Sequence, residues 1–258
     1  MKKICKITLI MLLAFLCTTF VQSYTAKAGN SYKKGNTTYF IKTKQSGHDK
    51  HGCTRYTYTM MKKKNGYTSK VCVIAKNKFG ADIVHYDEGY LYVQVDQDDE
   101  HYVKSIYEID VESQCSTKVI NNFEVNQWMP KKRWAYKSYI VGKSATTAPG
   151  SFKLKVLDLD TGDVTQLGWS KVQYIKGKYL YYVDTKGLWD GEAGYTTKTQ
   201  TVKIKCYNME SGKVSTLKKI KVNKYTYFSS ITNKKAKYGY YVKSGKWKNV
   251  TVRFKGKN

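Results

Sequence analysis

The stretch from Thr201 to Leu217, TVKIKCYNMESGKVSTL, decides the fold. Val202, Ile204 and Cys206 alternate with Lys203 and Lys205. That is a period of two, the pattern of a strand with one apolar and one polar face. Glu210-Ser211-Gly212 supplies turn residues, and Val214 to Leu217 begins a second short strand. The unit recurs. Its turns are Lys64-Asn65-Gly66, Glu112-Ser113-Gln114, Asp160-Thr161-Gly162 and Glu210-Ser211-Gly212, spaced by 48, 48 and 50 residues. A period of this length marks a repeat array such as a propeller.

Working outward, each unit carries two more strands. A first strand, such as Asp82 to Tyr86 or Val172 to Ile175, leads through a short turn to an aromatic and β-branched second strand. Tyr90-Leu91-Tyr92-Val93, Tyr139-Ile140-Val141, Tyr179-Leu180-Tyr181-Tyr182-Val183 and Tyr240-Tyr241-Val242 are these second strands, in residue types that favour a pleated, half-buried surface. In the third unit Phe152, Leu154 and Val156 alternate with Lys153 and Lys155. Asp110, Asp158 and Asn208 fall at one repeat position, where a side chain can cap a turn by binding nearby backbone amides. Past the first 28 residues no stretch has the spacing of a long helix, and only Pro130 and Pro149 interrupt the chain.

The pattern predicts an all-β fold, a β-propeller of four-stranded antiparallel blades, five in number. The blades span roughly 36–76, 80–120, 124–168 and 171–219, and the fifth runs to Asn258. Blade one has no clear first strand of its own, so the segment near Ser31-Tyr32-Lys33 is expected to complete blade five or to pack at that seam, since an open edge is a liability. An open β-sandwich built from the same hairpins is the alternative.

The N-terminus has the form of a secretory signal. Lys2, Lys3 and Lys6 precede an apolar run from Leu9 to Phe20, and Ala26-Lys27-Ala28 fits a small-x-small cleavage site. Residues 1–28 are expected to be removed, leaving one domain over 29–258 and no transmembrane segment. The run is too short for a spanning helix, and Leu16 before Cys17 is too large for lipoprotein cleavage. The expected location is secreted or extracellular, associated with the cell surface.

Cleavage takes four lysines and no acid, leaving +23 of the formal +27. The only arginines are Arg55, Arg133 and Arg253. Lysine is a hydrated point charge, whereas bidentate reading of phosphate and bases belongs to arginine. The charge therefore predicts attraction to an anionic cell-surface polymer or glycan, with no specific nucleic-acid recognition, and a protein partner is the other candidate. Four cysteines remain: Cys53, Cys72, Cys115 and Cys206. Export permits disulfides. At most one bridge is expected: Cys72 should face the neighbourhood of Thr59, and Cys206 aligns with Val156 as a small core residue.

The segments GKYLYYVD (177–184) and TVKIKCYNMESGKVSTL (201–217), echoed at 90–93 and 106–120, resemble bacterial secreted propeller repeats of the TolB-like type. The resemblance covers most of the chain after residue 28 and implies a propeller fold. It brings no catalytic residues, and domains of this kind are mostly binding or scaffold modules.

Loops joining second to third strands share one face of a propeller, and function rides on loops held by a rigid scaffold. The fourth such loop is the longest. Its Trp189, Asp190, Glu192 and Tyr195, among Gly187, Gly191 and Gly194, form the candidate ligand-binding set. Trp189 and Tyr195 offer flat faces for stacking on a sugar ring. In the first loop His48, Asp49 and His51 are a candidate metal set of imidazoles and carboxylate. The acidic run Asp96-Gln97-Asp98-Asp99-Glu100 lacks the glycine of a calcium loop. A glycan hydrolase would need two facing carboxylates; Asp82, Asp96, Asp98, Asp190 and Glu192 are the candidates. No G-x-S-x-G, H-E-x-x-H or phosphate loop occurs, so no cofactor and no catalysis are expected. The function that follows is a non-catalytic binding or scaffold module at the cell envelope. The alternatives are a glycan-processing hydrolase and a protein-interaction propeller.

Overall fold

The computed structural model describes residues 31–97, 103–125, 134–144, 153–188 and 194–257. Residues 1–28, expected above to be a cleaved signal, lie outside them. Every described element is a strand, and the strands form five sheets. The first sheet runs β1 (Ser31–Lys34), β2 (Thr37–His48), β3 (Thr54–Lys64) and β4 (Tyr67–Lys78). The second runs β5 (Gly80–Asp87), β6 (Tyr90–Asp96), β7 (Lys104–Asp110) and β8 (Cys115–Asn121). In the third, β9 (Glu124–Val125) and β10 (Ala135–Tyr136) both pair with β11 (Tyr139–Ser144), followed by β12 (Lys153–Asp158) and β13 (Val164–Trp169). The fourth is β14 (Gln173–Lys176), β15 (Tyr179–Asp184), β16 (Thr199–Asn208) and β17 (Val214–Asn223). The last has three strands, β18 (Tyr227–Ile231), β19 (Lys235–Tyr241) and β20 (Trp247–Arg253). Consecutive antiparallel meanders are the blade pattern of a β-propeller, and there are five of them.

The expectation that the segment near Ser31 completes blade five is corrected. The segment Ser31–Lys34 does not close the last blade. It folds back on β2 through the turn at Gly35, with Ser31 opposite Phe40 and Lys34 opposite Thr37. Gly35 takes φ +55°, the left-handed region that a tight turn needs. A two-residue hairpin costs less loop entropy than a strand borrowed from the far end of the chain.

By packing, the chain falls into two compact units, Met1–Val95 with Ile109–Thr117 and Asp96–Glu108 with Lys118–Asn258. In the first, Ile41, Met60, Val71, Ile74, Val84, Leu91 and Val93 are buried. In the second, β15 explains its own composition. Leu180 and Tyr182 pack into a cluster with Val141, Leu154 and Val156 of the third sheet. Tyr181 and Val183 face the other way, into a cluster with Ile204, Phe228, Ala236 and Tyr238. A strand buried on both faces reads as a continuous apolar run, not an alternation.

The repeat extends to its irregularities. The register slips between Leu154 and Lys155 on β12 and between Ile204 and Lys205 on β16, which are equivalent positions. The turn caps are also real. Asp110 Oδ1 accepts from the amides of Glu112 (2.9 Å) and Ser113 (3.1 Å). Asp158 Oδ1 accepts from Asp160 (3.0 Å), and Asn208 Oδ1 from Glu210 (3.1 Å) and Ser211 (3.3 Å).

Candidate functional site

Of the four loop residues singled out by sequence, Trp189, Asp190 and Glu192 lie outside the described residues. Tyr195 is described, and both stems of its loop are tied down. At the start, Thr185 donates its amide to Trp169 O (3.0 Å) and Leu188 donates to Thr185 O (3.0 Å). At the end, Asn223 Nδ2 donates to Thr196 O, and the Lys224 amide donates to Lys198 O (2.9 Å). Gln200 Nε2 reaches across to Lys186 O (2.9 Å). Tyr195 itself bridges to Tyr241, at the end of β19, in a parallel pairing.

That bridge brings Tyr195 to a residue pair that sequence reasoning missed. Tyr241 lies directly opposite Trp247 across the β19–β20 hairpin. Their rings meet edge to face, with centroids 5.0 Å apart and planes at 74°, an arrangement favoured by the aromatic quadrupole. Trp247 is fixed on two further sides. Its Nε1 donates to Asn249 Oδ1 (2.9 Å). Its ring lies against Gly239, where a Cβ would fall 2.3 Å from Cζ2. Only a glycine lets the indole settle on the strand. The ring is thus held in place yet 40% exposed, and Tyr195 is 48% exposed. Lys246 and Lys248 flank Trp247 and are exposed. Tyr241 and Trp247 form an aromatic ledge with lysines at its margin, and the backbone of exposed Tyr195 is bridged to it.

The signal for Trp247 was present in the sequence. Val242 to Lys246 is the fifth loop joining a second to a third strand, and Trp247 is the first residue after it. Applying the loop rule to the last blade would have found it.

Charges at the ends of other second strands are neutralised. Asp184, at the end of β15, accepts from Lys205 Nζ (2.6 Å). Asp96, at the end of β6, pairs with Lys104 (3.3 Å), which also approaches Glu124 (3.8 Å). Glu124 takes Lys143 as well (3.3 Å). Of the proposed hydrolase carboxylates, Asp98, Asp190 and Glu192 lie outside the described residues, and Asp96 is in this ion pair.

The first loop is built around Asp49. Its Oδ1 accepts from the amides of His51 (2.9 Å) and Cys53 (2.8 Å), while the Asp49 amide donates to Cys53 O (2.9 Å). The carboxylate closes a turn. Among the described residues, no group of three or more His, Cys, Asp and Glu is placed to hold a metal ion.

A second polar cluster joins the third and fourth sheets. Glu210 accepts from Lys137 Nζ (2.8 Å) and the Tyr136 hydroxyl (3.1 Å), and Lys178 lies 3.2 Å from its other oxygen. Hydrogen bonds from the two lysines, then from Tyr136, hold its carboxyl down at about 2. This is a clamp between neighbouring turns, with its acceptor oxygens already taken.

No family model matches the chain, and no curated protein matches it. Among solved structures it is similar to the β-propeller domain of the Trilobed protease from Pyrococcus furiosus, with 15% identity and a TM-score of 0.43 over 91% of this chain and 71% of that one. It is also similar to TolB from Acinetobacter baumannii, with 11% identity and a TM-score of 0.35 over 84% of this chain and 51% of that one. A third is an oligogalacturonate lyase in complex with manganese, with 13% identity and a TM-score of 0.41 over 72% of this chain and 53% of that one. The chain spans about half the length of the last two. These superpositions are loose, and the fold assignment stands on strand order and register. On that basis the chain is an all-β repeat protein with five propeller-type blades. Among the described residues no helix is long and apolar enough to cross a membrane.

Proposed function

We propose that this protein is a non-catalytic binding module that acts outside the cell, at the envelope, on an anionic polymer or glycan. The observation that carries this reading is the aromatic ledge. An exposed indole that is packed on a glycine, braced by a tyrosine and tied through its N–H loses little freedom when a ligand stacks on it, and preorganisation of this kind favours binding. Its open face suits the flat apolar side of a sugar ring. The lysines add the long-range part: a strongly basic surface raises the local concentration of polyanions and speeds encounter.

The test is binding of the protein to a purified polyol-phosphate wall polymer and to an uncharged glycan, across a salt series. Affinity for the polyanion falls as salt rises, because the screening length shrinks from about 10 Å at 0.1 M toward about 3 Å at 1 M. Trp247→Ala lowers affinity about tenfold, the scale of one buried aromatic anchor, and leaves the salt slope unchanged. Binding that follows salt alone and ignores Trp247 and Tyr195 sinks the ledge as a site. A stable complex with a protein, insensitive to both salt and polymer, favours the interaction-module reading instead.

A further inference from the structure

Cys72 and Cys115 are 43 residues apart in sequence, yet the Cys72 sulfur points at the Cys115 carbonyl oxygen from 3.7 Å. The next residue repeats the contact: Ser116 Oγ donates to Ile74 O (3.3 Å). These contacts hold the middle of β4 beside the first residues of β8. Standard bond lengths then put the Cys115 Cα within about 6 Å of the Cys72 sulfur. The same reasoning carried on to the Cys72 Cα bounds the separation of the two Cα atoms at about 9 Å, and the roughly 4.4–6.8 Å that a disulfide wants lies inside that bound. The Cys115 sulfur now rests 3.2 Å from Ser113 Oγ, and a rotation about χ1 frees it from that contact. Cys115 is exposed and Cys72 is buried. Cys206 is enclosed in a core cluster of the other unit, and the Cys53 amide is engaged by Asp49. Among the described residues no disulfide is formed.

We propose that Cys72 and Cys115 are the two halves of a disulfide that ties β4 to β8 when the chain meets an oxidising compartment. The oxidant is a small-molecule or protein disulfide. The exposed Cys115 thiol loses its proton, and its thiolate attacks one sulfur of the oxidant. The first oxidant thiolate leaves with the electron pair, giving a mixed disulfide on Cys115. Cys72 then gives its proton to solvent and attacks the Cys115 sulfur, expelling the second oxidant thiolate. Two protein thiols are oxidised, and one external disulfide is reduced to two thiols. Burial pushes the Cys72 thiol up to about 11, so the second step is the slow one and quickens as pH rises.

The experiment uses the full chain, with oxidised glutathione as the oxidant. After incubation, free thiols are alkylated and the protein is digested with trypsin without reduction. The expected product joins the peptide 71–76 to the peptide 105–118, at a mass lower by two hydrogens than the sum of the two. Cys115→Ser abolishes this product, and Cys72→Ser leaves a stable glutathione adduct on Cys115. The wild-type protein melts at a higher temperature oxidised than reduced, and neither variant shows that difference. Glutathione retained on Cys115 with Cys72 alkylated overturns the proposal. So does a cross-link through Cys53 or Cys206, or a wild-type chain in which both thiols of the pair are alkylated.

Discussion

The fourth sheet and the last sheet carry the same repeat to different ends. In the fourth, β16 is paired on both sides, by β15 and by β17. In the last, the equivalent strand β20 pairs with β19 alone among the described residues. In β16 the polar face is put to internal use, with Lys205 bound to Asp184 (2.6 Å). In β20 the same position in the blade is an edge among the described residues, and it displays Trp247, Lys248 and Arg253. Lysine on an edge strand discourages pairing with another chain. Among the described residues, the doubly paired third strand is structural and the singly paired one presents its side chains. That is where the ledge sits.

The comparison is sharpest in stability. Ile204→Ala in β16 empties a fully buried position shared by the two sheets and is expected to cost about 2–5 kcal/mol. Val250→Ala in β20 removes a half-buried side chain and is expected to cost about 1 kcal/mol. Denaturant titration of both checks the ratio; equal losses would mean that β20 is as enclosed as β16.

Gly239→Val comes next. Its Cβ would meet the Trp247 ring at 2.3 Å, so the indole must leave the strand. The expected cost is about 1–3 kcal/mol, together with loss of polymer binding equal to that of Trp247→Ala. Retained binding would show that the indole need not rest on the glycine.

Tyr181→Phe follows. The Tyr181 hydroxyl, on β15, donates to Lys257 O (2.8 Å) and accepts from the Lys257 amide (3.1 Å). Losing both is expected to cost about 1 kcal/mol and to speed amide exchange at Gly256 and Lys257 while leaving β16 protected.

The smallest effect is electrostatic. The Glu210 carboxyl is held below its ordinary value of 4.5, at about 2. Its contribution to stability is therefore present above about pH 4.5 and is lost as pH falls toward 2. Glu210→Gln should flatten the stability profile in that window and leave it unchanged at neutral pH to within the small worth of an exposed pair. A variant profile that still declines like the wild type would place the acid sensitivity elsewhere.

Much of the fold was legible because it is written locally. Turn spacing, alternation and the caps at Asp110, Asp158 and Asn208 each need only a few neighbouring residues. The first strand was misplaced for a related reason. Ser31–Lys34 is short and polar, and its hairpin signal is the single glycine at position 35. Tyr195 was singled out from its loop position, and the structure bridges it to Tyr241. Trp247 was missed although its place right after the loop between β19 and β20 was legible, because the loop rule was applied to the first four blades and not to the last. The approach of Cys72 to Cys115 was hidden. It joins strands of different sheets, and period and propensity describe only what a strand does within its own.

Each sheet is assembled from strands that follow one another in the chain, with β9 and β10 sharing the flank of β11. Time enters here. A ribosome delivers roughly 5–20 residues per second, while a hairpin closes in about 1–10 microseconds. Each blade can therefore complete its backbone pairing before the next has been synthesised. The order of assembly is the order of the chain, and an interrupted synthesis would leave whole blades behind it, not loose strands.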